Sequence, residues 1–251
     1  MRTRLPVVFS RTRQQASLYE SLRTNLVAYW PLNETATSGD VTATNWVAGG
    51  LNMTSENSVL SVAGKINNGR TFVSANSERM LGNATAATTL LGTANFTVAF
   101  WFRMNAAYVS GNQGLVTNDF FSTERGVSIY MTGVSGNWYR PYMYLRYTDN
   151  TEETFAPFGG DTASASTWHF FCARLNGGTT LDVRFNTFNA TPKTITKSFH
   201  ATRQRLFFGT RYTAFDFLNG DLDEVAFWQR RLSDAEVSTL YNNGTGIDLR
   251  Q

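Results

Sequence analysis

The stretch NFTVAFWFRM, residues 95–104, decides the fold class. Successive side chains of an extended chain point to opposite faces. Phe96, Val98, Phe100, Phe102 and Met104 therefore fall on one side, a five-residue apolar face of period two. That pattern predicts a strand with one face turned to a core.

Outward from this run the same period recurs in both directions. Val127, Ile129 and Met131 alternate, as do Met143, Leu145 and Tyr147, then Leu181, Val183 and Phe185, and finally Val225 and Phe227. Turn-forming clusters divide them, as at Asn176-Gly177-Gly178 and Asn219-Gly220-Asp221. Short alternating runs separated by such clusters predict a sandwich or barrel. Composition agrees: of 251 residues, 42% are hydrophobic and 14% aromatic, ample for one core. Only 16% are charged, below the roughly 25% of an ordinary soluble domain.

One helix is expected near the end. Ser233-Asp234-Ala235-Glu236 spells a capping box, with Leu232 and Val237 placed as a hydrophobic staple and Asn242-Asn243-Gly244 as the stop. The other end differs in charge. Residues 1–25 carry five arginines against Glu20, a net +4, so the remainder of the +3 chain sums to −1. Residues 1–25 read as a basic N-terminal arm and residues 26–251 as one domain, which is expected to fold without the arm. Leu18 and Leu22 are spaced i, i+4, which allows a short helix over about residues 13–23; a disordered basic terminus is the alternative.

Several chemistries are disfavoured. The single cysteine, Cys172, permits no internal disulfide and lies in an apolar run that suits a buried, inert thiol. With two histidines, His169 and His200, a dedicated zinc site is not expected. No run approaches the ~20 apolar residues of a membrane span, and the five apolar residues from Leu5 to Phe9 are too few for a secretory core of about 7–15. The Asn-x-Thr triplets at Asn33, Asn52, Asn83, Asn95, Asn189 and Asn243 then follow from abundant Asn and Thr.

In order along the chain, AYWPLNE (28–34), GRTFVSANSERML (69–81), NFTVAFWFRM (95–104), WHFFCARLNG (168–177) and FGTRYTAFDFLNGDLDEVAFWQRRLSDAEVSTLYNNG (208–244) resemble the laminin-G-like jelly-roll family of the concanavalin A-like lectin and glucanase fold. The resemblance covers about residues 26–249. It implies an all-β, antiparallel jelly-roll β-sandwich with one short C-terminal helix, to which the N-terminal arm is an addition without counterpart.

Glucanases among such relatives need two carboxyl groups about 5–9.5 Å apart. Asp221 and Asp223 share a strand face, but Phe227 and Trp228 follow where a further acid would be required. Glu152 and Glu153 are adjacent and face apart. The expectation is a non-enzymatic binding protein. The resemblance also implies a structural calcium, with Asp223 as anchor and Asn33, Glu34 and Asp40 as partners; the alternative is that Asp221 and Asp223 solvate a turn. Tyr142, Tyr144 and Arg146, with Trp138 and Tyr139 before them, form an aromatic and cationic set suited to sugar stacking or to an interface.

A compact copy without an export signal resembles a phage virion component: a capsid decoration, head-fibre or tail protein. On that reading Arg2, Arg4, Arg11 and Arg13, with Leu18 and Leu22, dock the arm on a capsid or tail partner. The head, oligomeric in the assembly, binds a surface glycan at the virion surface. An extracellular stand-alone lectin or adhesin is the alternative, and nucleic acid is disfavoured because the globular part is near neutral.

Overall fold

The computed structural model describes all residues except 1–7, 83–93, 106–110, 121–123, 161–162, 200–204 and 212–214, and at 8–15, 119–120, 124–125 and 135 it describes the backbone alone. Chain order runs α1 (Val8–Arg23), β1 (Leu26–Trp30), β2 (Thr42–Ala43), β3 (Met53–Glu56), β4 (Leu60–Ala63), β5 (Asn68–Phe72), β6 (Arg79–Gly82) and β7 (Phe96–Met104). It continues with β8 (Asn112–Phe120), β9 (Glu124–Ser135), β10 (Trp138–Arg146), β11 (Glu152–Phe155), β12 (Ala163–Ser164), β13 (Trp168–Asn176) and β14 (Thr180–Phe185). Then come β15 (Phe188–Asn189), β16 (Lys193–Thr194), β17 (Leu206–Phe208), β18 (Gly220–Trp228) and α2 (Asp234–Tyr241).

These strands form two antiparallel sheets. The first is ordered β15-β14-β13-β7-β18-β5-β4, with β1 added on β18 and β16 on β14. The second is ordered β11-β10-β9-β8-β17-β6-β3-β2, with β12 on β10. Every alternating run read from the sequence turns its apolar face into the space between them: Phe96 to Met104, Val127 to Met131, Met143 to Tyr147, Leu181 to Phe185, and Val225 with Phe227. Gly209 lets the layers approach, since at φ +78° a Cβ there would lie 2.3 Å from the Phe72 ring.

The first sheet is buried on its other face as well. Leu26, Ala99, Trp101, Phe170, Cys172, Ala226 and Trp228 meet a third layer made of Leu22, of Leu232, Val237 and Leu240 around α2, and of Ile247 and Leu249 near the C-terminus. Burial pushes the Cys172 thiol up to about 12, the inert state expected. His169 is buried too, between Phe102 and Phe185, with Nε2 near the Ser164 carbonyl oxygen.

Helix α1 joins this layer through its last turn, where a helix leaves carbonyls without internal partners. The Trp228 indole donates to the Leu22 carbonyl at 2.6 Å. The Arg230 guanidinium donates to the carbonyls of Ser21 at 2.6 Å and Thr24 at 2.8 Å, and also grips Glu236. The boundary expected at residue 25 therefore runs through a packed cluster. Leu22, expected to touch an assembly partner, is fully buried against its own chain, and Leu18 is half-buried. Arg11 and Arg13 lie on α1 where only the backbone is described, and Arg2 and Arg4 lie outside the described residues. Among the described residues no helix is long and apolar enough to cross a membrane.

The expected capping box is present on α2. The Glu236 amide donates to Ser233 Oγ at 3.3 Å, and the Ser233 amide donates to Glu236 Oε2 at 2.8 Å. Ser233→Ala is expected to cost ~1 kcal/mol, read as a lowered midpoint in denaturant unfolding with an unchanged slope.

Candidate ligand-binding surface

The aromatic set predicted on β10 divides by strand parity. Tyr139 is fully buried between the sheets, which removes it from any ligand surface. It shares parity with Met143, Leu145 and Tyr147, and that alternation was legible in the sequence. Trp138, at the β9–β10 turn, is 46% exposed. Tyr142, Tyr144 and Arg146 face outward and are half-buried, but their surfaces are already engaged. Tyr142 stacks on Tyr130 at 5.5 Å, and the Arg211 guanidinium lies 4.2 Å from the Tyr130 ring centroid and 4.8 Å from that of Tyr144. Tyr144 donates to Glu152, whose carboxylate also faces Arg146 at 3.6 Å. Ring faces stacked in this way are withdrawn from sugar stacking.

Open space lies instead along one edge of the sandwich, where residues 147–160 of the second sheet meet residues 188–199 of the first. Phe199 stacks on Tyr147 at 5.4 Å, and the Thr148 amide donates to the Ser198 carbonyl. Lys193 pairs with Glu153, and Lys197 pairs with Asp149 at 2.9 Å and donates to Thr151 Oγ1 at 2.6 Å. Those bonds from Thr151 and Lys197 hold the Asp149 carboxyl well below the usual range.

Three hollows follow this seam. A groove of about 820 Å³ is lined by Gly177, Gly178, Thr179, Thr194, Thr196, Ser198 and their neighbours. A hollow of about 180 Å³ continues it past Tyr147, Glu152 and Lys197. At the other end of β14, a hollow of about 470 Å³ lies between Phe158-Gly159-Gly160 and Phe188-Asn189. The sequence reading missed the seam. Its residues are scattered threonines, glycines and three phenylalanines, Phe158, Phe188 and Phe199, with no periodic signal.

Among the described residues, the acids weighed for catalysis form no open pair. Asp221 is buried and paired with Arg103 at 2.6 Å. Glu152 and Glu153 reach different partners, Arg146 and Lys193. Asp223 and Glu224 sit at a bulge where β18 exchanges β5 for β1 as its neighbour. Burial raises both carboxyl groups above the usual range. Asp223 accepts the amides of Ile66 at 2.9 Å and Glu224 at 2.8 Å. Glu224 has φ +53°, takes the Tyr29 hydroxyl on Oε2 and leaves Oε1 buried without a partner. Glu224, which has the unpartnered oxygen, is therefore the carboxyl that burial favours in its protonated form. The hollow it lines holds about 10 Å³, room for about one water and none for a sugar.

The expected calcium ligands are dealt to separate tasks. Asn33 Oδ1 takes the Asn68 amide, Glu34 pairs with Arg70 at 3.1 Å, and Asp40 Oδ1 takes the Ser58 amide. Both Asp223 oxygens already accept amides. Calcium requires six to eight converging oxygens, and among the described residues no three acidic, histidine or cysteine side chains gather to hold a metal. The predicted set does not fit the ion.

Residues 81–238 match the family profile described as the concanavalin A-like lectin/glucanases superfamily. Among solved structures, the binding domain of Paraclostridial Mosquitocidal Protein 1 superposes with a TM-score of 0.68 at 15% identity, over 90% of this chain and 53% of that one. The botulinum neurotoxin serotype D binding domain gives 0.68 at 10% identity, over 90% and 53%. The binding domain of botulinum neurotoxin DC, solved in complex with SialylT, gives 0.65 at 13% identity, over 87% and 51%. This chain thus spans about half the length of those structures, and at such identities the likeness is one of fold. Comparison with curated proteins finds no match.

Proposed function

The chain belongs to the concanavalin A-like lectin/glucanases superfamily, and from that premise we propose that it is a lectin-like domain that holds glycan without cleaving it. The observation that carries this reading is the groove of about 820 Å³, whose wall presents Thr179, Thr194, Thr196 and Ser198 with Lys197 among them. Hydroxyl groups that both donate and accept match the hydroxyls of a sugar, and a lysine adds charge-assisted donors. The engagement of Asp221, Asp223, Glu152 and Glu153 with partners of their own favours holding the sugar over hydrolysing it. The solved binding domains of similar fold, one of them with SialylT bound, are consistent with a glycan partner.

A glycan array followed by titration calorimetry tests this. Lys197→Ala is expected to weaken the best glycan about tenfold, the cost of one charge-assisted hydrogen bond, with no sugar released. An array without any binder, or release of reducing ends, would remove the reading.

A second reading sets this head on a larger particle such as a virion. It is favoured by four arginines without an acid in residues 1–15, N-terminal to the packed turn of α1. Deleting residues 1–15 should then abolish incorporation while leaving the fold and glycan binding intact.

A further inference from the structure

We infer that the hollow beside Phe188 is a separate subsite for an uncharged sugar that presents an apolar face, an inference that rests on the glycan-binding reading. Phe188 is 67% exposed, the most exposed large hydrophobic side chain among the described residues. An exposed ring has no packing role to explain it, and its mount is firm. Phe188 pairs with Phe185 across the β14–β15 turn. That turn is pinned to β13 twice: the Asn186 amide donates to the Phe170 carbonyl at 2.9 Å, and the Phe170 amide donates to Asn186 Oδ1 at 2.8 Å. Arg184 Nε donates to the Asn186 carbonyl at 2.8 Å. The ring is therefore presented to solvent on a fixed base.

Opposite it, Phe158 is anchored edge-on to Phe185 at 5.9 Å. Gly159 and Gly160 follow, and a Cβ at either would meet nothing within 4 Å. The space above the glycines is open to a ligand. Asn189 and Thr191 line the same hollow. No partner within the described residues occupies either side chain, so an amide and a hydroxyl remain for sugar hydroxyls. The volume of about 470 Å³ suits a small ligand.

The chemistry of the lining selects the class. Pro157, Phe158, Gly159, Gly160, Phe188, Asn189, Ala190 and Thr191 include no charged side chain. A sialylated, sulfated or uronic sugar would gain no counter-charge there. A neutral sugar with a run of axial hydrogens or an acetamido methyl would stack on Phe188 and hydrogen-bond through its rim. The Lys197 groove lies at the opposite end of β14, on the order of 20 Å away for a strand of this length. The two hollows can therefore be tested independently.

The experiment titrates the full chain with a panel of neutral glycans and their sialylated counterparts, using parent, Phe188→Ala, Phe188→Trp and Lys197→Ala. Phe188→Ala is expected to weaken neutral glycans about tenfold with an unchanged melting temperature, and Phe188→Trp to retain them. Neutral binding should also persist from low salt to about 0.5 M, because no ion pair is made. Neutral binding unaffected by Phe188→Ala but lost in Lys197→Ala overturns the subsite and leaves the glycan reading standing. If no glycan binds the parent, both fall. A parent dimer that Phe188→Ala converts to monomer assigns the ring to self-association and overturns the subsite.

Discussion

Leu22→Ala is expected to lower unfolding stability by about 2–5 kcal/mol, the cost of deleting a buried leucine and leaving a cavity. The side chain is fully buried against the outer face of the first sheet. Starting the chain at residue 26 should cost more. It removes Leu22, leaves the Trp228 indole and Arg230 without the carbonyls of Ser21, Leu22 and Thr24, and takes the Ser21 hydroxyl from Glu236. The buried Trp228 indole left unmatched adds about 1–3 kcal/mol. A chain beginning at residue 16 keeps every one of these contacts and should match the parent. Denaturant unfolding of the three proteins makes the comparison, and equal midpoints for residues 16–251 and 26–251 would contradict the packing of α1.

The second large effect concerns pH. Burial raises the carboxyl groups of Glu224 and Asp223; the Asp223 charge raises Glu224 further, and Asp248 raises both. A free glutamate in the unfolded chain ionises near 4.3. Above that pH the folded state keeps a proton that the unfolded state has lost. Stability is then fully present below about pH 4 and falls as pH rises toward the raised folded value, by about 1.4 kcal/mol per pH unit for one retained proton. Tyr29 and Asp248 face the same pocket. Burial pushes Asp248 up, but hydrogen bonds from Arg250 prevail and keep it ionised. His169, whose pKa burial lowers, acts in the opposite direction and costs stability as pH falls below about 6.5. Glu224→Gln preserves the shape and the neutral state. It should therefore flatten the decline between pH 7 and 9 and raise the melting temperature at pH 9. A variant as pH-sensitive as the parent would place the retained proton elsewhere.

The sequence by itself determined the inter-sheet core and the helix cap. Period two in Phe96–Met104 can bury only one face of a strand, and Ser233 three residues before Glu236 can satisfy helix-end amides only in one arrangement. These are local relations, settled within a few residues. The same rule gives Tyr139 the parity of Met143 and Leu145, so grouping it with the outward aromatic set went against the pattern, and the structure buries it. Tertiary structure decided the rest. Leu22 is an unremarkable helical leucine until Trp228 and Arg230, over 200 residues away in sequence, arrive at its last turn. Asp223 reads as a metal ligand until the amides of Ile66 and Glu224 occupy it. The two smaller hollows exist only because residues 147–160 and 188–199 edge two different sheets, the groove only because residues 177–179 and 194–199 meet, and Phe188 is a binding candidate only because the fold leaves it uncovered. Burial, partner choice and open space are properties of pairs of distant segments, and no local pattern encodes them.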